Sequence, residues 1–304
     1  MYHNPVMLKE SVEVLVENED GVYVDLTFGG GGHSTEILKK LSDKGKLIAF
    51  DIDSDSLKNK IDDSRFTLIN QNFRYMWNYL KFFDVLPVDG VIADLGISSY
   101  QIDAPERGFS IRYDADLNMR MGGEAGINAG FVLNNYSEDE LIRVFWQYGE
   151  IKNARSLANK IIKFRESQPF KTTEQLKEVA NLCAPRGREY KYLAQVFQAI
   201  RIEVNDEINA LSDMLSFLEH VLKDDGLAVI ISYHSLEDRL VKNLFRSGNI
   251  EGKVNKDFYG NNLSSFVPVT RKPLIPSESE IEENPRARSA KLRVGRKVNI
   301  NSIQ

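Results

Sequence analysis

Residues 22 to 34 read VYVDLTFGGGGHS, an apolar stretch that stops at Asp25 and runs into four consecutive glycines. Glycines without side chains let the backbone turn sharply and come close to a ligand. A helical pattern follows from about Ser34 (STEILKKL), so the segment predicts a strand, a glycine turn and a helix whose N-terminus offers unpaired N–H groups. That unit opens a nucleotide-binding doubly wound sheet, and it constrains the chain to the α/β class.

The turn is not a dinucleotide fingerprint. G-x-G-x-x-G needs a third glycine for tight helix packing, and here Gly29, Gly31 and then Ser34 fill the three places. The second apolar run, KLIAFDID (46 to 53), ends in Asp51 and Asp53, roughly 20 residues past the turn, where a carboxylate accepts both hydroxyls of a ribose. A nucleoside fits this pattern better than a dinucleotide. The competing reading is that both aspartates only cap the helix that follows.

Further strand patterns fall at 22 to 26, 46 to 51, 66 to 70, 89 to 95 and 227 to 232, with helical periodicity between most of them, as in a parallel α/β sheet. Between the fourth and fifth lie residues 96 to 226, where a βαβ unit needs only about 30. Within this excess, Ser137 with Glu140 and Thr172 with Gln175 mark helix starts. Ala154, Leu157, Ala158, Ile161 and Ile162 keep helical spacing. The expected organisation is a sheet domain of 1–111 and 205–304 with a small helical domain, 112–204, inserted into it. The run from Val204 to Leu222 is the expected crossover helix.

Charge separates the two parts. From Ile151 to Arg201 eleven Lys or Arg stand against four Glu, a local +7 inside a chain of net −5. Aromatic residues lie among these charges in APRGREYKY (184 to 192), which suits phosphate contact with base stacking and singles out Arg186, Arg188 and Lys191. PRARSAKLRVGRK (285 to 297) adds six cations without an acid. The alternative for either patch is a solvated helix face or a basic edge strand. Two patches beside a nucleoside site favour nucleic acid as partner. The lone Cys183 allows no intrachain disulfide and no paired-cysteine zinc site, and no residue is singled out as a metal ligand. No run is long enough to span a bilayer, and MYHNPVMLKE lacks the apolar core of a signal peptide, which predicts a cytoplasmic protein without membrane contact.

The segments HNPVMLKE (3 to 10), VDLTFGGGGHS (24 to 34), AFDID (49 to 53), ADLGISSYQIDAPERGFSIRYDADLNMRM (93 to 121), FQAIRIEVNDEINAL (197 to 211), SYHSLEDR (232 to 239) and NPRARSAKLRV (284 to 294) carry a resemblance over nearly the whole length. The chain resembles the bacterial S-adenosylmethionine-dependent methyltransferases that modify the N4 amine of a cytosine in the decoding region of 16S ribosomal RNA. The resemblance implies a class I methyltransferase with a Rossmann-like doubly wound sheet and an inserted helical domain. It implies that Gly31, Gly32, His33, Asp51, Phe73, Asp94 and Gln101 surround S-adenosyl-L-methionine. It also implies action on 16S ribosomal RNA within the small ribosomal subunit, and it leaves a homodimer open.

Physical roles follow for these positions. Asp51 would hold the ribose hydroxyls, Phe73 would lie against the adenine, and the amides near Gly31 and Gly32 would face the polar methionine end. His33 would donate to the cofactor's carboxylate or shape the turn. Asp94 ends the fourth strand, at the carboxyl edge where ligands bind in open α/β sheets. A cytosine N4 amine is a poor nucleophile because its lone pair is delocalised into the ring, so aimed acceptors and positioning must supply the catalysis. Many amino-methyltransferases use Asp/Asn/Ser-Pro-Pro-Tyr/Phe for this; here the stretch is DLGISSYQ, and Asp94 or a nearby backbone carbonyl is the candidate acceptor. Ser98 and Ser99 read mainly as turn caps. His234 is a candidate substrate contact, although Ser235 with Asp238 reads as a helix cap beside it. Arg107, Arg112 and Asn118 are expected at the lip where a target base enters. Two other classes compete: a DNA amino-methyltransferase, disfavoured by the missing Pro-Pro motif, and a non-catalytic, cofactor-sensing ribosome assembly protein.

Overall fold

The computed structural model describes residues 5–123, 126–260 and 263–299. His3 and Asn4, which open the first matching segment, lie outside them. The chain divides into two compact units, Met1–Gly96 with Ile208–Gln304, and Ile97–Glu207.

The first unit begins with α1 (Leu8–Leu15), β1 (Val22–Asp25), α2 (Gly32–Lys40), β2 (Lys46–Phe50), β3 (Phe66–Ile69), α3 (Met76–Phe82) and β4 (Val88–Asp94). The second unit supplies α4 (Ser99–Asp103), α5 (Ala129–Asn135), α6 (Glu138–Gly149), α7 (Ala154–Ser167), α8 (Thr173–Asn181) and α9 (Glu189–Asn205). The chain then runs through α10 (Glu207–Val221), β5 (Leu222–Ser232), α11 (Ser235–Ser247), β6 (Phe266–Pro268), α12 (Glu278–Glu283) and β7 (Lys291–Lys297).

The sheet order is β3-β2-β1-β4-β5-β7-β6. The first five strands pair in parallel, and β7 is antiparallel to both β5 and β6. Strands of such a sheet are covered on both faces and therefore read as nearly unbroken apolar runs, as in Ala228, Val229, Ile230 and Ile231. Alternate residues feed two cores. Val24, Val91 and Ile230 pack with Leu80 of α3, Met214 and Leu218 of α10 and Phe245 of α11. Tyr23, Ile92 and Val229 pack with Val12 of α1 and Ile37 of α2. Full burial of each such side chain contributes about 1.5–3 kcal/mol relative to exposure. The strand order reverses between β1 and β4, and the crevice outside their carboxyl ends is the ligand position in doubly wound sheets.

The five expected strands are present, with β5 beginning earlier than 227, at Leu222, where it pairs with Val88 before an irregularity in register. The basic stretch at 285 to 297 is corrected more substantially. Its second half is β7, an interior strand of the sheet, and the four cations of that strand are taken up within the unit, while Arg288 before it is exposed. Arg293 and Lys291 meet Asp238, Arg296 meets Glu17, and the Lys297 ammonium donates to the Leu222 carbonyl. The four cations of β7 therefore serve the structure of the sheet unit.

In the second unit, Ser137 and Glu140 form a reciprocal capping box at the start of α6, and Thr172 and Gln175 do the same for α8. The apolar face of α7 buries Ala154, Leu157, Ala158 and Ile161. The expected helix from Val204 to Leu222 is divided: α9 ends at Asn205, Asp206 takes φ 51°, and α10 begins at Glu207. This unit starts at Ile97, earlier than the expected 112, because residues before 112 are tied into it. The Met119 N–H donates to the Arg107 carbonyl and the Lys177 ammonium to the Ile111 carbonyl.

Candidate active site

At the end of β1 the chain enters the glycine turn, where Gly29 has φ 51° and Gly31 has φ 77°. Gly31 caps α2, and a Cβ there would stand 2.9 Å from the Phe28 ring, whereas a Cβ on Gly30 would meet nothing within 4 Å. The turn is thus packed on its inner side and open on its outer side, beside the first-turn amides of α2 that no helical carbonyl can reach. Gly31→Ala is expected to cost about 1–2 kcal/mol from left-handed strain alone, read as a lowered Tm.

Asp51 follows β2. Its Oδ2 accepts the Gly29 N–H at 2.7 Å and its Oδ1 accepts the Asp53 N–H at 2.8 Å. Asp53 is the residue that caps the next short helical turn, accepting the Asp55 N–H at 3.1 Å. The two readings of this acidic pair therefore separate: Asp53 caps, and Asp51 braces the glycine turn. Each Asp51 oxygen keeps a lone pair for a further donor. Burial raises its pKa to about 6, against the pull of the two backbone bonds.

Asp25, to which the sequence reading gave no role, ends β1 fully buried. It accepts the Ser34 hydroxyl at 2.6 Å and the Thr27 N–H at 3.1 Å, and burial raises its pKa to about 6. Its charge also acts on both Asp51 and Asp94, so three carboxyls stand in a row along adjacent strand ends β2, β1 and β4.

Asp94 is held from two sides. Its N–H donates to Thr27 Oγ1 at 2.7 Å, and its Oδ1 accepts the Tyr233 hydroxyl at 2.7 Å. Burial raises its pKa to about 6, opposed by His33 and the Tyr233 bond. The Tyr233 phenol is pushed strongly upward, first by burial and then by the Asp94 charge, so it remains a donor. His33 is buried with Nε2 at 3.2 Å from the Val6 carbonyl, and burial lowers its pKa while Asp94 raises it. His33 Nε2 thus ties α2 to the segment before α1 through the Val6 carbonyl. Tyr233 escaped the sequence reading although it stands one residue beyond β5, the same strand-end position that drew attention to Asp94.

Phe73 opens a short helical turn after β3 and rests, half-buried, on the apolar core. His234 is itself the N-cap of α11, one residue before the expected cap at Ser235. The Glu237 carboxylate accepts the His234 N–H, and His234 Nδ1 accepts the Glu237 N–H at 3.5 Å. Its Nε2 lies 3.2 Å from Glu237 Oε1 without hydrogen-bond alignment. Asp238 is engaged by Arg293.

The remaining sequence-derived positions belong to the second unit. Gln101 is buried and completes a capping box with Ser98. The Arg107 guanidinium donates to the carbonyls of Arg120 and Met121, and Asn118 accepts from Arg120. Arg112, Arg186, Arg188 and Lys191 are exposed.

A strand-end row of carboxyls at the switch point, an open glycine turn and no dinucleotide fingerprint suit a nucleoside ligand, and comparison with known proteins gives the family. Residues 1–298 match the model of the MraW methylase family. The chain belongs to the MraW methylase family. A protein of Christiangramia forsetii named Ribosomal RNA small subunit methyltransferase H is 54% identical over 297 residues, 98% of each chain. Proteins of that name from Flavobacterium johnsoniae and Bacteroides fragilis are 51% identical over 297 residues (98% of each chain) and 50% identical over 296 residues (97% of each chain). As a member of this methylase family the chain takes its methyl group from S-adenosylmethionine, and the residues present fit that group: Asp51 offers acceptors to a diol, and the open outer face of Gly30 admits close approach. No helix among the described residues is long and apolar enough to cross a membrane.

Proposed function

We propose that this methylase modifies the N4 amine of a cytidine in the decoding region of 16S ribosomal RNA, in the cytoplasm, with Asp94 as the acceptor for the amine hydrogen. What supports the substrate is the near-complete coverage of relatives named for small-subunit ribosomal RNA. Bound S-adenosylmethionine supplies an electrophilic sulfonium methyl group. Asp51 would hold its ribose, Phe73 its adenine, and Gly31, Gly32, His33 and Gln101 the rest of its surround. Asp94 then provides an acceptor that draws the amine's hydrogen aside and concentrates its lone pair. Tyr233 holds that carboxylate and Thr27 holds the Asp94 backbone N–H, so that little reorganisation is needed at the moment of transfer. Arg107, Arg112, Asn118 and His234 are proposed around the target base.

The test is incubation with labelled S-adenosylmethionine and small ribosomal subunits from cells lacking this protein, followed by nucleoside mass spectrometry. N4-methylated cytidine is the expected product. A labelled uridine, adenosine or C5 position, or no transfer at all, would overturn the reading. In the second unit, replacing Arg186, Arg188 and Lys191 with Ala should weaken RNA binding and flatten its salt dependence while leaving cofactor affinity intact. An unaltered salt slope would assign those charges to a solvated face.

A further inference from the structure

Within the basic stretch 151–201, the second unit carries a groove made by residues other than Arg186, Arg188 and Lys191. It has a volume of about 600 Å³ and is lined by Arg155, Ser156, Asn159, Lys160 and Lys163, all from α7, with Glu138 from the first turn of α6. Helical spacing sets the row: Arg155, Asn159 and Lys163 follow at i, i+4 and i+8, and Ser156 and Lys160 form the adjacent row. The opposite side of the same helix is the buried face of Leu157, Ala158 and Ile161, so packing fixes the direction in which the cations point.

Several cations of the same unit are held by their own surroundings. Arg143 is drawn to Glu203, Arg165 to the Leu133 and Tyr136 carbonyls, Arg201 to Glu207 and Lys177 to Glu174. Arg155, Lys160 and Lys163 have no ion pair or hydrogen bond from their side chains among the described residues. Three cations against the single Glu138 carboxylate leave the groove at a net +2. Hydroxyl and amide groups, from Ser156 and Asn159, stand between them as uncharged donors. Arg155 to Lys163 spans about 12 Å along the helix at ~1.5 Å per residue, long enough to meet several successive phosphates of a nucleic-acid strand.

The residue just before α7 is tied to the segment that leads into α9. Asn153, just before α7, donates to the Cys183 carbonyl at 2.9 Å and accepts the Tyr192 hydroxyl at 3.1 Å. The start of α7 and the loop leading to α9 are therefore one anchored surface.

We propose that this groove on α7 binds the phosphate backbone of the RNA substrate. The inference rests on the ribosomal RNA reading given above. Phosphate oxygens would take the Arg155, Lys160 and Lys163 donors, with Ser156 and Asn159 adding neutral hydrogen bonds. Glu138 opposes binding and keeps the contact reversible. Because all of these contacts are to backbone, they carry affinity and register, not base identity.

The full-length protein tests this with two variants, Arg155→Ala/Lys160→Ala/Lys163→Ala and Glu138→Gln, and with two probes, protein-free 16S ribosomal RNA and assembled small subunits. The triple variant should bind protein-free RNA more weakly, by on the order of 10-fold at low salt, with a log–log salt slope shallower by about 2. Its KM for RNA should rise at unchanged kcat, and its S-adenosylmethionine affinity should equal that of the wild type. Glu138→Gln should shift the other way, tightening RNA by about twofold, a gain that a merely solvated face does not predict. Wild-type affinity and slope in the triple variant, with methylation intact, would overturn the groove alone. Loss confined to assembled subunits would also overturn it, assigning the face to a ribosomal protein. A wild-type chain that neither binds nor methylates RNA would overturn the functional reading itself.

Discussion

Asp94→Asn should retain the fold and most of the cofactor affinity yet lower single-turnover methyl transfer by about 10²-fold or more. The amide preserves shape, but it places a donor where one acceptor oxygen stood, and Tyr233 already donates to Oδ1. Either the amide oxygen keeps the Tyr233 bond and an N–H faces the amine, or the amide turns and the phenol loses its acceptor. The first outcome sets a donor against the amine; the second leaves it only a neutral oxygen that Tyr233 no longer fixes. Tyr233→Phe separates these effects, since it leaves the carboxylate charged but frees it to rotate; a smaller fall in kcat is expected. The pH profile gives an independent readout. With Asp94 at about 6, kcat/KM for the wild type should fall as pH drops through that value, because protonation removes the acceptor. Asp94→Asn should flatten this acidic limb. Turnover near the wild-type level at saturating RNA and cofactor would remove Asp94 from the mechanism and move the search to the backbone carbonyls of Leu95 to Ser98.

The glycine turn, the acidic end of β2 and the long interval after β4 were legible because each is a local signal. A run of glycines, a capping pair such as Ser137 with Glu140, or an apolar repeat such as Leu157, Ala158 and Ile161 carries its meaning within one or two turns of chain. What the sequence concealed depends on partners far away. Arg293 and Lys291 look like surface cations until Asp238 is placed beside them by the antiparallel pairing of β7 with β5. A charge run without local acids is thus ambiguous in sequence, and only the fold distinguishes β7 from the groove on α7. The Tyr233 hydroxyl reaches Asp94 across the β4–β5 pairing, 139 residues along the chain. Asp206 broke a continuous amphipathic pattern with one left-handed residue, and periodicity alone does not register a single backbone turn.

Asp51→Ala should weaken S-adenosylmethionine binding by about 1.5–3 kcal/mol, or on the order of 10- to 100-fold, as measured by calorimetry. Two losses combine in this variant. The charge-assisted bonds to the ribose hydroxyls disappear, and the Gly29 and Asp53 N–H groups lose the acceptor that braces the glycine turn. Asp51→Asn distinguishes them, because its single carbonyl oxygen can hold one brace without the charge. The sign of the pH dependence follows from the protonation state that binds. Asp51 has a pKa of about 6 because burial disfavours its charge, and hydroxyl donors require the ionised form. Affinity should be full above about pH 6 and decline below it, and the bound cofactor should draw the group's pKa downward. In Asp51→Ala that decline should be reduced, with weak binding at every pH. Wild-type affinity in a folded Asp51→Ala protein would mean that the ribose is held elsewhere, leaving Asp51 as a brace for the turn alone.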